Sequence, residues 1–309
     1  MPDIVVMFFL LGLIAALLRS DLTVPKAAYD MLSLLLMLTI GLKGGMALYG
    51  NLHWQMLPEF LLVIALGALI PLMLFPVLRR VIGLSLADSA SLAAHYGSVS
   101  AGTFAVALAY VESHQLSVGP EVTIYLVLME LPAIIVGLLL FRRYQGGQTG
   151  SLGALWHEAL TSRGVILLLG GVLIGLLYGP QKGAAVTDLY TGAFKAILAL
   201  FLLEMGMVAA ETLRTVSLRY WRLIAFALLA PSVLALLGIA AGKVLGLSEG
   251  STLILASLTA SASYIAAPVA IKSSIPQADI GLAMLSSLGL TFPFNVLLGI
   301  GFYHYLIAL

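Results

Sequence analysis

HYGSVSAGTFAVAL, running from His95 to Leu108, places two glycines, two serines and a threonine inside an apolar run long enough to cross a membrane. Counted from Ser85 at about 1.5 Å per residue, the loosened stretch begins about 18 Å along the run, near the middle of a hydrocarbon layer. Backbone groups freed at that depth cannot face lipid, so irregular structure there implies a cavity lined by protein or water. A second interruption, ASASYIAAP at Ala260 to Pro268, sits at a similar depth in a later apolar run.

Outward from these two stretches the chain is apolar throughout. Of its 309 residues 61% are hydrophobic and 9% charged, and the mean hydropathy is +1.09, values outside the range of a soluble globular domain. Repeated runs of about 20 apolar residues without strand-like alternation predict an all-α integral membrane protein rather than a barrel. Ten spans are expected, near residues 4–18, 27–49, 56–78, 85–112, 120–141, 164–179, 190–213, 221–245, 250–274 and 278–308. The first is preceded by Asp3 rather than by basic residues, so it is expected to be retained as a helix. The chain has no cysteine, which excludes disulfides and thiol chemistry, and a net charge of +1 offers no basic face for nucleic acid.

Basic residues divide unequally between the connections. Arg19, Lys26, Arg79, Arg80, Arg142, Arg143, Arg163, Arg214, Arg219, Arg222 and Lys272 flank one face, whereas only Lys182 and Lys243 flank the other. The first face is therefore expected to be cytoplasmic, with both termini outside a cytoplasmic (inner) membrane. The Gly/Gln-rich segment 142–163 reads as a cytoplasmic linker between residues 1–141 and 164–309.

These halves echo one another. VIGLS at Val81 to Ser85 recurs as VLGLS at Val244 to Ser248, 163 positions later, and the same offset lays Ser98 on Ser261 and Ser100 on Ser263. LKGGM at Leu42 to Met46 lies 161 positions before LEMGM at Leu203 to Met207, as Pro132 does before Pro293. Five spans per half, an odd number, predict an inverted 5+5 repeat with discontinuous helices 4 and 9.

Each interruption ends one half-helix and starts another. A starting half presents free N–H groups to an anion, and an ending half presents carbonyls to a cation such as Na⁺. The candidate anion-binding residues are Gly97, Ser98, Val99, Ser100, Ala262, Ser263 and Tyr264; the candidate cation-binding residues are Ser100, Thr103, Glu130, Ser261, Ser263, Thr291 and Asn295. Glu130, in MELPAI, is an ionisable group at mid-depth and the preferred cation ligand. Pro268 is expected to open the restarting helix. Small residues can also serve close helix packing, and buried serines can bond to their own helix. Lys43 and Glu204 occupy repeat-related positions with opposite charge, but near opposite membrane faces, so separate partners are expected for them. Trp54, Trp156 and Trp221 read as interfacial anchors. His95, Glu112 and His114 lack H-E-x-x-H spacing, and neither a G-x-S-x-G elbow nor a P-loop is present, so no enzyme is expected.

IGLKGGMAL, GSVSAGTFAVALAYVE, MELPAI and ASASYIAAPVAIKSSIPQADIGLAM, in this order, resemble the sodium-dependent bicarbonate transporter family over nearly the whole chain. The resemblance implies gate helices 1, 2, 6 and 7, core helices 3–5 and 8–10, and a homotrimer. It also implies bicarbonate and Na⁺ held between the crossed breaks, no other cofactor, and a PII-like regulatory protein as a cytoplasmic partner. The chain departs from the family at SASY and AAP, where cyanobacterial members carry SSSD and SGP, so Tyr264 stands at an acidic position. Na⁺-coupled bicarbonate uptake by alternating access is the expected function. A symporter of another small carboxylate, or a ligand sensor without transport, remains open; a Na⁺/H⁺ antiporter would need a more acidic midplane than Glu130 alone supplies.

Overall fold

In a computed structural model the described residues are 3–145, 153, 157, 160, 161, 163–214 and 217–309, and among them all regular structure is helical. The elements are α1 Ile4–Leu17, α2 Lys26–Leu48, α3 Leu57–Pro76, α4 Leu86–Gly97, α5 Ala101–Ser113, α6 Val122–Gln145, α7 Arg163–Lys182, α8 Ala184–Arg214, α9 Trp221–Leu245, α10 Glu249–Thr259 and α11 Ala266–Ser274. A last run, α12 Ile280–Ala308, contains two wide π-helical stretches. Eight helical segments are long and apolar enough to span a bilayer, and Ile4–Leu17 is a shorter apolar helix. The chain is a multi-pass membrane protein. Most of the 142–163 linker, and with it Trp156, lies outside the described residues; Trp54 and Trp221 are exposed at helix starts.

The repeated VIGLS/VLGLS motif takes the same backbone form twice. Gly83 (φ +84°) and Gly246 (φ +65°) occupy the left-handed region that side chains avoid. Two residues later Ser85 and Ser248 cap α4 and α10, accepting from Asp88 N–H at 3.0 Å and Ser251 N–H at 3.3 Å.

Small residues set the helix pairings. α2 packs on α7 where Gly45 meets the backbone of Val172 and Leu176, and where Gly175 meets that of Leu42. α1 packs on α8 where Gly206 meets the backbone of Phe9 and Leu13, and where Gly12 meets that of Leu203. A second assembly is formed by α3, α4 and α6, with α10 joining α9 and α5, and α11 lying against α4 and α6. Without a hydrophobic effect between helices in lipid, such backbone approaches are what hold a bundle together.

Several boundaries differ from the sequence-based expectation. α8 begins at Ala184 rather than near 190. The first break is confined to Ser98–Ser100, because Ser100 caps α5 through Thr103 N–H (3.0 Å) and draws residues 101–103 into the helix. The second spans 260–265, so Pro268 is the third residue of α11 and not the first. A first-turn proline loses nothing there, since that N–H has no intrahelical acceptor.

Candidate functional site

The two breaks cross. Ser100 N–H donates to Ser261 Oγ at 2.9 Å, and Ser263 N–H donates to the His95 carbonyl at 2.8 Å, so each break satisfies part of the other's backbone. Ser261 Oγ also donates to the Leu258 carbonyl at 2.8 Å, which closes the end of α10. Ser263 Oγ accepts Ala267 N–H at 3.2 Å at the start of α11. The N-termini of α5 and α11 therefore begin at one locus, where first-turn N–H groups lack helical acceptors. The carbonyl ends of α4 and α10 meet the same locus.

A cavity of about 220 Å³ adjoins this crossing, far more than the ~15 Å³ that one water requires. Val99, Ser100, Glu130, Ser263 and Tyr264 lie on its wall, together with Met37, Leu168 and Arg163 from α2 and α7. The Glu130 carboxylate has no hydrogen-bond or ion-pair partner among the described residues. Arg163, at the mouth, is engaged by Asp30 at 3.1 Å. The cavity thus holds one carboxyl group with no basic partner of its own.

Buried at the site, and without a hydrogen bond among the described residues, are Ser98 Oγ, Thr103 Oγ1 and the Tyr264 hydroxyl. Tyr264 turns its hydroxyl toward Gly102, where only a residue without Cβ leaves room, and its ring meets Phe292 edge-on at 5.3 Å. Orphaned hydroxyls in a dry interior carry a desolvation cost that a bound ion or water removes. His95 Nδ1 lies 2.7 Å from the Ser91 carbonyl, which can only accept. The ring proton is therefore assigned to Nδ1, leaving the buried Nε2 lone pair without a partner.

Gly97 ends α4 with its Cα against Pro71 and Ala133, and Ala262 lies buried within the second break. Thr291 and Asn295 lie away from the cavity wall, with their polar groups engaged. Thr291 Oγ1 donates to the Ala227 carbonyl (2.7 Å) and accepts from the Tyr96 hydroxyl (2.7 Å). Asn295 Nδ2 donates to the Ala260 carbonyl (2.9 Å), while Oδ1 accepts the Tyr303 hydroxyl (2.6 Å). Both residues brace the site from α12. Lys43 pairs with Glu112 at 2.6 Å, and Glu204 Oε2 is buried without a hydrogen bond, so the two do not pair with each other.

Sequence reasoning treated Arg163 only as an orientation signal and His95 only as a poor zinc ligand. The one hint for Arg163 was its place at the start of a span beside the linker. The role of the His95 carbonyl had no signal in sequence, since it depends on a partner 168 positions away.

Among the described residues no group of three His, Cys, Asp or Glu side chains gathers. The donors at the crossing are hydroxyls, carbonyls and one carboxylate, an all-oxygen set of the kind that hard cations take. Residues 4–308 match the Na⁺-dependent bicarbonate transporter superfamily, and the chain belongs to that family. No curated protein matches it significantly.

Proposed function

From that membership, we propose that the protein carries out Na⁺-coupled uptake of bicarbonate by alternating access, with both ions bound where the breaks cross. The observation that carries this reading is the pair of cross-break hydrogen bonds, Ser100 to Ser261 and His95 to Ser263, beside a cavity containing an unpaired Glu130. Anion oxygens accept from the α5 and α11 N-termini and from the Tyr264 hydroxyl. Na⁺ takes Glu130, the break hydroxyls and the carbonyls that end α4 and α10. Each ion supplies the charge the other lacks, so each strengthens the other's binding.

The proposed ten-span inverted repeat fits alternating access. Contacts recur at the repeat offsets: Gly45 on Val172 corresponds to Gly206 on Phe9, and Gly175 on Leu42 to Gly12 on Leu203. The proposed gate is α1, α2, α7 and α8, and the proposed core is α3–α6 with α9–α12. Because the cavity mouth carries Arg163, on the basic face, the proposed state opens to the cytoplasm. The family resemblance suggests a homotrimer with a PII-like protein as regulator, and the bias of basic residues suggests an inner-membrane orientation with both termini outside.

Radiolabelled bicarbonate uptake into proteoliposomes, with and without an inward Na⁺ gradient and with acetate and pyruvate as competitors, tests the proposal. Na⁺-driven uptake that only bicarbonate competes supports it. Competition by the organic acids moves the substrate to another carboxylate, and absence of flux from folded protein leaves ligand sensing.

A further inference from the structure

Lys43, near the end of α2 away from the basic face, reaches across to Glu112 at the matching end of α5, with Nζ 2.6 Å from Oε1. The same ammonium lies 4.4 Å from the centroid of the Phe194 ring on α8. The ion pair therefore bridges two helix assemblies: α2 and α8 belong to the one built on glycine contacts, and α5 to the one that carries the breaks. Gly44 against the Thr123 side chain closes the seam beside it. On the opposite side the seam is open, and the cavity lies there.

The repeat relation assigns this pair a counterpart. Lys43 maps onto Glu204 at the offset of 161, and Glu112 maps onto Ile275 at the offset of 163. One turn before Ile275 stands Lys272, in the last turn of α11. That turn is a shortfall of about 4.5 Å by helical rise, which the longer lysine side chain spans. Glu204 Oε2 is buried with no hydrogen bond, an arrangement that calls for a partner. Lys272 is exposed and has no ion pair among the described residues.

We propose that Lys43–Glu112 and Glu204–Lys272 are alternating latches. The first holds the outer side shut in the present state, and the second, charge-reversed, holds the inner side shut after the two assemblies have moved. Both are positioning pairs that touch neither ion, and the inference rests on the alternating-access reading above. Two pairs used in turn give the two end states comparable stabilisation, as a carrier that must visit both requires.

The absence of native cysteine makes crosslinking the direct test. Lys43→Cys/Glu112→Cys and Glu204→Cys/Lys272→Cys variants, reconstituted with and without Na⁺ plus bicarbonate, are treated with a short bis-maleimide, and linked peptides are quantified by mass spectrometry. Any condition that raises one yield is expected to lower the other. In uptake assays Lys43→Glu and Lys272→Glu each reduce the rate, with about a fivefold change in end-state populations. The exchanges Lys43→Glu/Glu112→Lys and Glu204→Lys/Lys272→Glu restore it. Failure of Glu204 and Lys272 to link in every condition, parallel rather than opposed yields, or exchanges that rescue nothing overturns the latches. Opposed yields in a protein without bicarbonate flux refute the proposed substrate and leave the latches standing; flux without opposed yields does the reverse.

Discussion

Replacing Ser261 with alanine removes one oxygen that does two things at the crossing: it accepts Ser100 N–H at 2.9 Å and donates to the Leu258 carbonyl at 2.8 Å. Ser100 is 2% exposed and Leu258 fully buried, so solvent does not replace the lost partner. A buried N–H without an acceptor costs about 1–3 kcal/mol, and the lost carbonyl bond adds about 1 kcal/mol. Taking about 2 kcal/mol as the low end, the crossed arrangement becomes at least about 30-fold less populated relative to uncrossed alternatives, and apparent anion affinity falls with it. The assay is the bicarbonate concentration for half-maximal Na⁺-driven uptake, paired with a thermal unfolding scan of the purified protein. Ser257→Ala is the matched control. Its Oγ bonds back to the Leu253 carbonyl at 2.7 Å within α10, one turn before the break, and makes no bond across the crossing. Wild-type half-saturation in Ser261→Ala, or an equal loss in Ser257→Ala, refutes the claim that the crossing builds the anion site.

Glu130→Gln keeps the shape of the side chain and removes the cavity's unpaired carboxyl; Na⁺ activation of uptake is expected to flatten, and unchanged Na⁺ dependence would take Glu130 out of the cation site. Tyr264→Phe deletes a buried hydroxyl that makes no hydrogen bond in the structure, so folding should be unaffected or slightly improved. Bicarbonate half-saturation should nonetheless rise by about tenfold or slightly more, the worth of one hydrogen bond to a charged group at the low end of its range; equal affinity removes the tyrosine from the anion site. Gly206→Val drives a side chain into the backbone of Phe9 and Leu13 and is expected to lower the yield of folded protein in detergent. Gly301→Val, at a position open to its surroundings, should leave the yield unchanged.

The helices and their interruptions were legible because their causes are local. Apolar runs report a lipid environment residue by residue, and Gly83, Ser85, Gly246 and Ser248 report a turn and a cap within five positions. The edges of the breaks were less legible, since Ser100 acts as a cap only after its side chain turns toward Thr103 N–H, and that choice depends on Ser261 holding Ser100's own N–H. Thr291 and Asn295 illustrate the same limit from the other side. Their depth and polarity suggested cation ligands, yet the structure directs their groups to the Ala227 and Ala260 carbonyls. Neither partner can be found from spacing. Lys43 and Glu112 lie 69 positions apart, and their pairing is set by how two helix assemblies meet.

If the proposed function holds, the electrostatics of the cavity make one ion without the other a poor ligand. Among the described residues Arg163 is the one basic side chain on the cavity wall, and Asp30 already engages it. An anion entering alone would meet the unpaired Glu130, and any ionised fraction of that carboxyl repels it. The N–H groups at the starts of α5 and α11 offset part of that repulsion, each helix terminus contributing about 0.3–1 kcal/mol. Na⁺ bound beside Glu130 favours the carboxylate form and reverses the sign of that repulsion, so in the proposed mechanism coupling follows from a carboxyl left without a fixed counter-ion. A cavity with a free arginine would bind the anion unaided and would have no need of the gradient. Placing an arginine beside the cavity, as in Met37→Arg, is therefore expected to strengthen bicarbonate binding in the absence of Na⁺ while reducing Na⁺-driven uptake. Stronger binding with undiminished Na⁺ coupling would show that the coupling does not arise from the unpaired charge of Glu130.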